Sequence, residues 1–174
     1  MMLRKSVIAI LCILMIGCSQ NRPAIKTMQY VDLSRFMGDW YVIANIPTFI
    51  EKGAHNAIET YQMNDDETIA TTFSFNDDSF VGDKKVYHPK GFIKDKQSNA
   101  IWGMQFIWPI EADYRIVYVD PAYTQTIIGR NARDYVWIMA RTPAISEKDY
   151  SNLVNMVKQQ GYDISKIQRV PQQW

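Results

Sequence analysis

The sequence predicts an all-β domain, an eight-stranded antiparallel up-and-down β-barrel with one C-terminal α-helix packed on the outside. Eight short segments rich in β-branched and aromatic residues follow one another between turn signals, and one amphipathic segment near the end has helical spacing. The 174 residues suffice for one sizeable core. The net charge of +1 provides no broad field for nonspecific nucleic-acid binding, so we expect no nucleic-acid partner.

The first residues are predicted to be separate from this domain. Two basic residues precede an apolar run that is too short to span a membrane and is typical of a secretion signal. The run ends in Met15-Ile16-Gly17-Cys18, which resembles the lipobox of bacterial lipoproteins, where the cysteine is acylated and becomes the new N-terminus. An uncleaved anchor, or an ordinary signal with a chance cysteine, is the alternative.

The resemblance divides the chain into three parts: a lipoprotein signal peptide over 1–17, a lipidated Cys18 with its tether over 18–29, and the folded domain over 30–174. Ser19 follows the cysteine where an aspartate would favour the inner membrane. The resemblance to lipoprotein sorting therefore implies a lipid anchor in the outer membrane, with the domain facing the periplasm. The mature chain would then have no thiol left for a disulfide.

The strands are predicted from β propensity and from the turn residues between them. A short connector over Val31–Met37, predicted to form a 3₁₀ turn, precedes the first strand. The eight predicted strands are Trp40–Ile46, Ala57–Met63, Thr68–Phe75, Lys84–Ile93, Ala100–Ile107, Tyr114–Asp120, Thr124–Arg130 and Tyr135–Arg141.

Alternation along these strands groups large side chains by face. The three groups are Trp102, Met104 and Phe106; Tyr114, Ile116 and Tyr118; and Tyr135, Trp137 and Met139. A closed sheet of eight strands has an interior just wide enough for one small ligand. We expect bulky aromatic residues to leave an apolar slot there.

The single predicted helix covers Ser146–Gln160. Ser146 is its expected N-cap and Gly161 stands where the helix should stop. Four apolar residues recur at helical spacing, namely Tyr150, Leu153, Val154 and Val157. We expect this stripe to lie on the outer face of the first strand, near Tyr41 and Ile43; a partner-binding helix is the alternative.

Three sequence blocks resemble the lipocalin signatures, in order. They are Gly38-Asp39-Trp40-Tyr41, Asp120-Pro121-Ala122-Tyr123 and the segment Tyr135–Pro143. The chain from about Tyr30 onward is similar to the bacterial lipocalins, which are themselves outer-membrane lipoproteins. The second block departs from the usual adjacent Thr-Asp-Tyr, and the disulfide common among animal members is absent.

The resemblance implies a structural role for five signature residues: Gly38, Trp40, Asp120, Tyr123 and Arg141. Trp40 would cap the closed end of the barrel, and Arg141 would lay its guanidinium on the indole. Gly38 would allow a sharp turn below the barrel.

The ligand site is then expected at the other end. The resemblance places Trp137 in the pocket, ordinary core being the alternative, and strand direction and alternation add Tyr135, Tyr114, Phe106 and Met104. The resemblance implies a fatty acid or lysophospholipid as the ligand. Its headgroup could sit among the cations of the mouth, with ordinary solvated surface charges as the alternative; these cations are Lys52, Lys84, Lys85, Arg130 and Arg133.

The predicted function is that of a membrane-anchored lipid carrier for storage or transport in cell-envelope maintenance, with no cofactor and no metal. Nucleophile elbows, phosphate-binding loops and metal-spaced His or Cys clusters are missing from the sequence, and His55 and His88 are the only imidazoles, so we expect no enzyme. Alternatives are a scaffolding lipoprotein with a filled barrel, a lipid-modifying lipocalin using a Tyr, a His or Glu111, and a membrane-spanning barrel. A homodimer could form through the apolar tail Val170–Trp174.

Overall fold

The structure is a computed structural model that describes residues 22–174; the expected signal peptide and Cys18 lie outside the described residues. Its strands are β1 (Gly38–Ile46), β2 (Ala54–Met63), β3 (Thr68–Asp77), β4 (Lys84–Tyr87), β5 (Lys90–Ile93), β6 (Ile101–Ile107), β7 (Ile110–Val119), β8 (Gln125–Gly129), β9 (Val136–Ala140) and β10 (Gln168–Arg169). Its α-helices are α1 (Leu33–Phe36) and α2 (Glu147–Gln159), and a 3₁₀ turn covers Ile164–Lys166. Within these residues no helix combines the length and apolarity needed to cross a membrane.

The sheet closes on itself as an antiparallel barrel. Consecutive strands pair from β1 to β3 and from β5 to β9. β4 and β5 both pair with β3, and β9 pairs back with β1. The predicted eight-stranded barrel with an external helix is therefore confirmed. β10 pairs with β1 at Ala44 and Asn45, on the side of β1 opposite β9.

The fourth predicted strand is not continuous. The structure divides Lys84–Ile93 into β4 and β5 at His88 and Pro89. Proline has no N–H to donate to the ladder, so pairing is interrupted there, although its carbonyl still accepts from Thr71 N at 3.1 Å.

Two further expectations differ from the structure. The connector before β1 contains one turn of α-helix, capped by Asp32, where a 3₁₀ turn was expected. Tyr118 does not share a face with Ile116, because the β7–β8 register shifts between these two residues and Tyr118 packs on the outside of the barrel.

The lower half of the barrel is filled by aromatic rings. Phe36 from α1 lies 5.1 Å from Trp40, 5.6 Å from Tyr61 and 5.7 Å from Trp102, measured between ring centroids. All four side chains are buried. This plug closes the end of the barrel at which β1 begins and β9 ends, so an internal cavity is confined to the other half.

The C-terminal helix covers the outer wall as predicted. Leu153 and Val157 of α2 are buried in one cluster with Ile43, Ile127 and Ile138 on the outside of β1, β8 and β9. The helix begins after Ser146, whose Oγ accepts a hydrogen bond from Asp149 N at 3.0 Å. It is followed by Gly161 at φ +89°, a conformation that glycine adopts without strain.

Candidate ligand-binding cavity

A cavity of about 410 Å³ occupies the open half of the barrel, which lies within the range of sites that hold small organic ligands, roughly 300–1,000 Å³. All five residues predicted to bind ligand, Met104, Phe106, Tyr114, Tyr135 and Trp137, line it. Their presence on the wall is a geometric finding, and their role in binding stays a prediction. The wall also includes Arg130, one of the predicted mouth cations, and residues that the sequence analysis did not select: Thr48, Phe49, Ile50, Glu51, Glu59, Phe73, Tyr87, Ile107, Ile110, Ala112 and Asp113.

The floor of the cavity is the upper surface of the aromatic plug. Tyr114 stacks on Trp102 with ring centroids 5.5 Å apart and on Trp137 with centroids 6.3 Å apart. Tyr114 and Trp102 are buried, whereas Trp137 is half-buried and lines the open space. A ligand entering from the mouth therefore meets ring faces below it and aliphatic and aromatic side chains around it.

Glu51 fastens the loop between β1 and β2 to the cavity wall. Its carboxylate accepts hydrogen bonds from Trp137 Nε1 at 2.9 Å, from Thr48 N at 2.8 Å and from Asn45 Nδ2 at 3.2 Å. Burial raises the pKa of Glu51, and these donors partly oppose that rise. Since the indole N–H of Trp137 is engaged by Glu51, the indole offers a ligand its apolar ring.

A second buried carboxyl lies lower in the cavity. Glu59 and Tyr61 are two residues apart on β2 and therefore point to the same, inner side. Glu59 hydrogen-bonds Tyr61, whose hydroxyl in turn bonds that of Tyr114. Burial raises the pKa of Glu59 to about 8, and the neighbouring Glu51 makes a smaller contribution to this rise. The Glu59 carboxyl is therefore protonated at neutral pH and adds no charge to the lower part of the cavity.

Arg130 is the one member of the predicted cation set that lines the cavity. Its guanidinium pairs with Asp134 at 3.3 Å and lies 5.2 Å above the Tyr135 ring. Its Nε is buried and has no hydrogen-bond partner within the described chain. Such a donor suits an incoming acceptor oxygen, because a buried N–H without a partner is costly.

The other predicted cations do not line the cavity. Lys85 pairs with Asp77 at 3.6 Å, and Arg133 donates to the carbonyls of Pro23, Asn131 and Gln160. Lys52 and Lys84 are exposed on the rim of the mouth.

The signature residues meet at the closed end. The Arg141 guanidinium carbon lies 3.7 Å from the Trp40 ring centroid, and the same group donates to the carbonyls of Arg35, Phe36, Met37 and Asp39 at 2.6–3.1 Å. Gly38 has φ +92°, and a Cβ there would stand 3.5 Å from Arg141. Arg141 thus ties α1 and the start of β1 to the end of β9, which indicates a structural role.

Asp120 and Tyr123 shape the turn between β7 and β8 at this end. Asp120 accepts hydrogen bonds from the backbone N–H groups of Ala122, Thr124 and Gln125. The Tyr123 hydroxyl accepts from Asp32 N at 2.8 Å, and its carbonyl accepts from Arg141 Nε at 3.3 Å. These contacts join the second signature block to α1 and to the third block.

Glu111 and the two histidines, which were considered for catalysis, do not line the cavity. Glu111 lies outside the cavity wall and pairs with Lys94 at 2.5 Å. His88 is exposed, and His55 packs against Phe80 on the surface. Across residues 22–174 no group of three His, Cys, Asp or Glu could hold a metal ion.

Fold and cavity together define a β-barrel that can hold a small apolar ligand. The model of the lipocalin-like domain matches residues 31–172, and the chain belongs to the lipocalin family. It is 32% identical over 160 residues to temperature-induced lipocalin-1 of Arabidopsis thaliana, covering 87% of this chain and 85% of that one. It is 26% identical over 156 residues to the outer membrane lipoprotein Blc of Escherichia coli K12, covering 88% of each.

Solved structures share the fold at low sequence identity. Insecticyanin from the tobacco hornworm Manduca sexta superposes with a TM-score of 0.67 at 18% identity, over 85% of this chain and 84% of that one. Apocrustacyanin C2 superposes with a TM-score of 0.65 at 8% identity, over 86% and 91% of the two chains.

Proposed function

We propose that the protein is a lipid carrier that holds the acyl chain of a fatty acid or lysophospholipid in its barrel and serves lipid storage or transport in the cell envelope. The observation that supports this most directly is the apolar cavity of about 410 Å³, open at one end and lined by aromatic, aliphatic and methionine side chains. Burying about 400 Å² of acyl chain contributes roughly 10 kcal/mol before entropy costs, enough for micromolar binding. The same open cavity disfavours a scaffolding lipoprotein with a filled barrel.

The charges favour entry of the acyl chain first. Glu51 and the protonated Glu59 are carboxyl groups, so neither attracts a phosphate or carboxylate that enters the cavity. Arg130 supplies a cation on the cavity wall, and its buried Nε lacks a partner among residues 22–174. The proposed ligand therefore places its chain on the Tyr114 floor and its anionic headgroup against Arg130.

A lipid anchor on Cys18 would keep this carrier at the outer membrane, where we propose that it faces the periplasm. The likeness to the Blc outer membrane lipoproteins supports the outer membrane. Mass spectrometry of the N-terminal peptide tests the anchor directly. A homodimer through the C-terminal tail also stays a prediction. In the structure the tail is held on its own chain, where Trp174 packs edge-on against Tyr41 at 5.3 Å.

Titration of tryptophan fluorescence with a single-chain lysophospholipid tests the carrier function. We expect a saturable change at micromolar ligand, because Trp137 lines the cavity. Trp137→Phe should remove most of the change, whereas Trp174→Phe, on the outer wall, should keep it. A signal that does not saturate, or that survives in Trp137→Phe, would contradict the proposal.

The headgroup position has its own test. Arg130→Ala should weaken lysophospholipid binding at least tenfold, because a hydrogen bond to a charged group contributes about 1.5–3 kcal/mol. Lys84→Ala removes a cation from the rim without touching the cavity and should leave affinity unchanged. Equal affinities for the wild type and Arg130→Ala would mean that the headgroup lies elsewhere.

A further inference from the structure

Exposed apolar side chains are concentrated around the open end of the barrel. Five of them are at least 70% exposed and form what we call the apolar rim: Phe49, Val81, Ile107, Trp108 and Ile110. They lie on three of the four connections at this end, namely the β1–β2 loop, the β3–β4 loop and the β6–β7 hairpin. Monomeric proteins rarely expose such a concentration of large apolar groups in water unless the surface binds something.

The apolar rim is continuous with the cavity. Phe49, Ile107 and Ile110 line the cavity wall and are also exposed at its mouth. An acyl chain that leaves through this opening passes from the cavity wall directly to the rim on two sides, at the β1–β2 loop and at the β6–β7 hairpin. A flat protein partner would need to fill a ring around a hole, whereas the acyl region of a bilayer can adapt to that shape.

The fourth connection at the open end is polar and holds the start of the described chain. Ile25 N donates to Asn131 Oδ1 at 3.0 Å, and Arg133 donates to the carbonyl of Pro23 at 2.8 Å. Asn131 and Arg133 belong to the β8–β9 loop. The described chain begins at residue 22, four positions after Cys18, and four residues of chain span at most ~14 Å. An anchor on Cys18 would therefore attach to the membrane close to the mouth.

Charges at the mouth nearly cancel, although Arg133 of the β8–β9 loop adds one cation that binds backbone carbonyls. Lys85 pairs with Asp77, and Arg130 pairs with Asp134. The remaining exposed charges of the β1–β2 and β3–β4 loops and the start of β4 are of both signs: Lys52, Lys84, Asp78 and Asp83. Attraction to an anionic surface is therefore weak, and the apolar side chains are the groups available to hold a partner.

From these observations we infer that the open end of the barrel docks on the surface of a lipid bilayer, with the apolar rim inserted among the lipids and the cavity mouth facing the membrane. Trp108 is the side chain best suited to the interface, because its indole is apolar with one polar N–H. The anchor direction rests on the proposed function, whereas the apolar rim and its continuity with the cavity do not. Docking in this orientation lets a ligand move between membrane and cavity without exposure to water.

The test uses the full chain, expressed with its N-terminal segment, purified and reconstituted with phosphatidylcholine vesicles, with and without bromine on the lipid acyl chains. Bromine quenches tryptophans that lie among the lipids. We expect the wild type to be quenched and Trp108→Phe to lose more than half of that quenching. Trp174→Phe is the matched control, because Trp174 is also exposed but lies on the outer wall, and it should be quenched like the wild type.

The outcomes separate docking from the carrier function. Equal quenching of the wild type and Trp108→Phe, loss of quenching in Trp174→Phe instead, or no association with vesicles would overturn docking. Rim burial against a second copy would show as a stable dimer with an unquenched Trp108, and would overturn it as well. Lysophospholipid binding with an unquenched Trp108 would overturn docking and leave the carrier function intact. A quenched Trp108 without lysophospholipid binding would overturn the carrier function and leave docking intact.

A salt series adds a second readout. Because the mouth charges nearly cancel, the quenching of Trp108 should change little between low and high salt, and little between vesicles with and without anionic lipid. Quenching that disappears at high salt would show that charges, and not the apolar rim, hold the surface, and would overturn the inference.

Discussion

Arg141 is the residue on which most of the closed end depends. Its guanidinium covers Trp40 and binds the carbonyls of α1 and of Asp39, so its loss removes a cation–π contact and several charge-assisted hydrogen bonds. We expect Arg141→Ala to lower the free energy of unfolding by about 3 kcal/mol, measured by denaturant titration, and to change ligand affinity little.

The matched control is Arg169→Ala. The Arg169 guanidinium also lies 3.7 Å from a ring centroid, that of Tyr150, but on the outer surface, where such contacts contribute about 0–1 kcal/mol. If Arg141→Ala kept its melting temperature and lost lysophospholipid binding, the assignment of Arg141 to structure would be reversed.

Glu59 should make stability depend on pH in the opposite direction to most carboxylates. Burial raises its pKa from 4.5 to about 8, so the folded state holds the proton more tightly than the unfolded state does. The stabilisation is complete below about pH 4.5 and is lost as the pH rises toward 8, at up to about 1.4 kcal/mol per pH unit.

Thermal melting across this range measures the effect. The melting temperature of the wild type should fall as the pH rises, and Glu59→Gln should flatten that fall, because an amide has no proton to lose. Glu51 also has a raised pKa, so a smaller slope should remain in the variant. An identical slope in both proteins would show that Glu59 is not the titrating group.

Among the elements, α2 stabilises the barrel from outside without reaching the cavity. Leu153→Ala should lower the free energy of unfolding by about 2–5 kcal/mol, because it opens a hole in the buried cluster between α2 and the barrel wall. Lysophospholipid affinity should stay unchanged, since that cluster and the cavity lie on opposite sides of the sheet. Asn155→Ala, on the exposed face of the same helix, is the control and should change stability by less than about 0.5 kcal/mol.

Elements with a clear period were predictable, and contacts made by barrel closure were not. Alternation in Tyr135, Trp137 and Met139 indicated an inner face, and the spacing of Leu153 and Val157 indicated an outer contact, because each pattern is local. The period of two along Ala57, Glu59 and Tyr61 also contained the signal for a buried Glu59, which the sequence analysis did not use.

The loop between β1 and β2 gave no comparable signal. It has no period, and the bond from Trp137 to Glu51 joins residues 86 positions apart that meet only when β9 pairs with β1. The apolar rim was missed for a related reason. Phe49, Val81 and Trp108 are isolated apolar residues in three separate loops, and only the closed barrel brings those loops to one end.

At the scale of the whole molecule, carrier function requires that the barrel remain half empty, so filling the cavity should abolish binding without unfolding the protein. Ala112 on β7 lines the cavity, and Ala112→Phe would place a ring where the acyl chain is proposed to lie. We expect lysophospholipid binding to weaken at least tenfold in a fluorescence titration, with little change in the melting temperature, because the new ring occupies existing space.

Gln105→Phe adds the same ring on β6 but outside the cavity wall, between the cavity-lining Met104 and Phe106, and should bind like the wild type. Wild-type affinity in Ala112→Phe would mean that the ligand does not occupy the cavity, and equal loss in both variants would mean that the added ring perturbs the sheet itself.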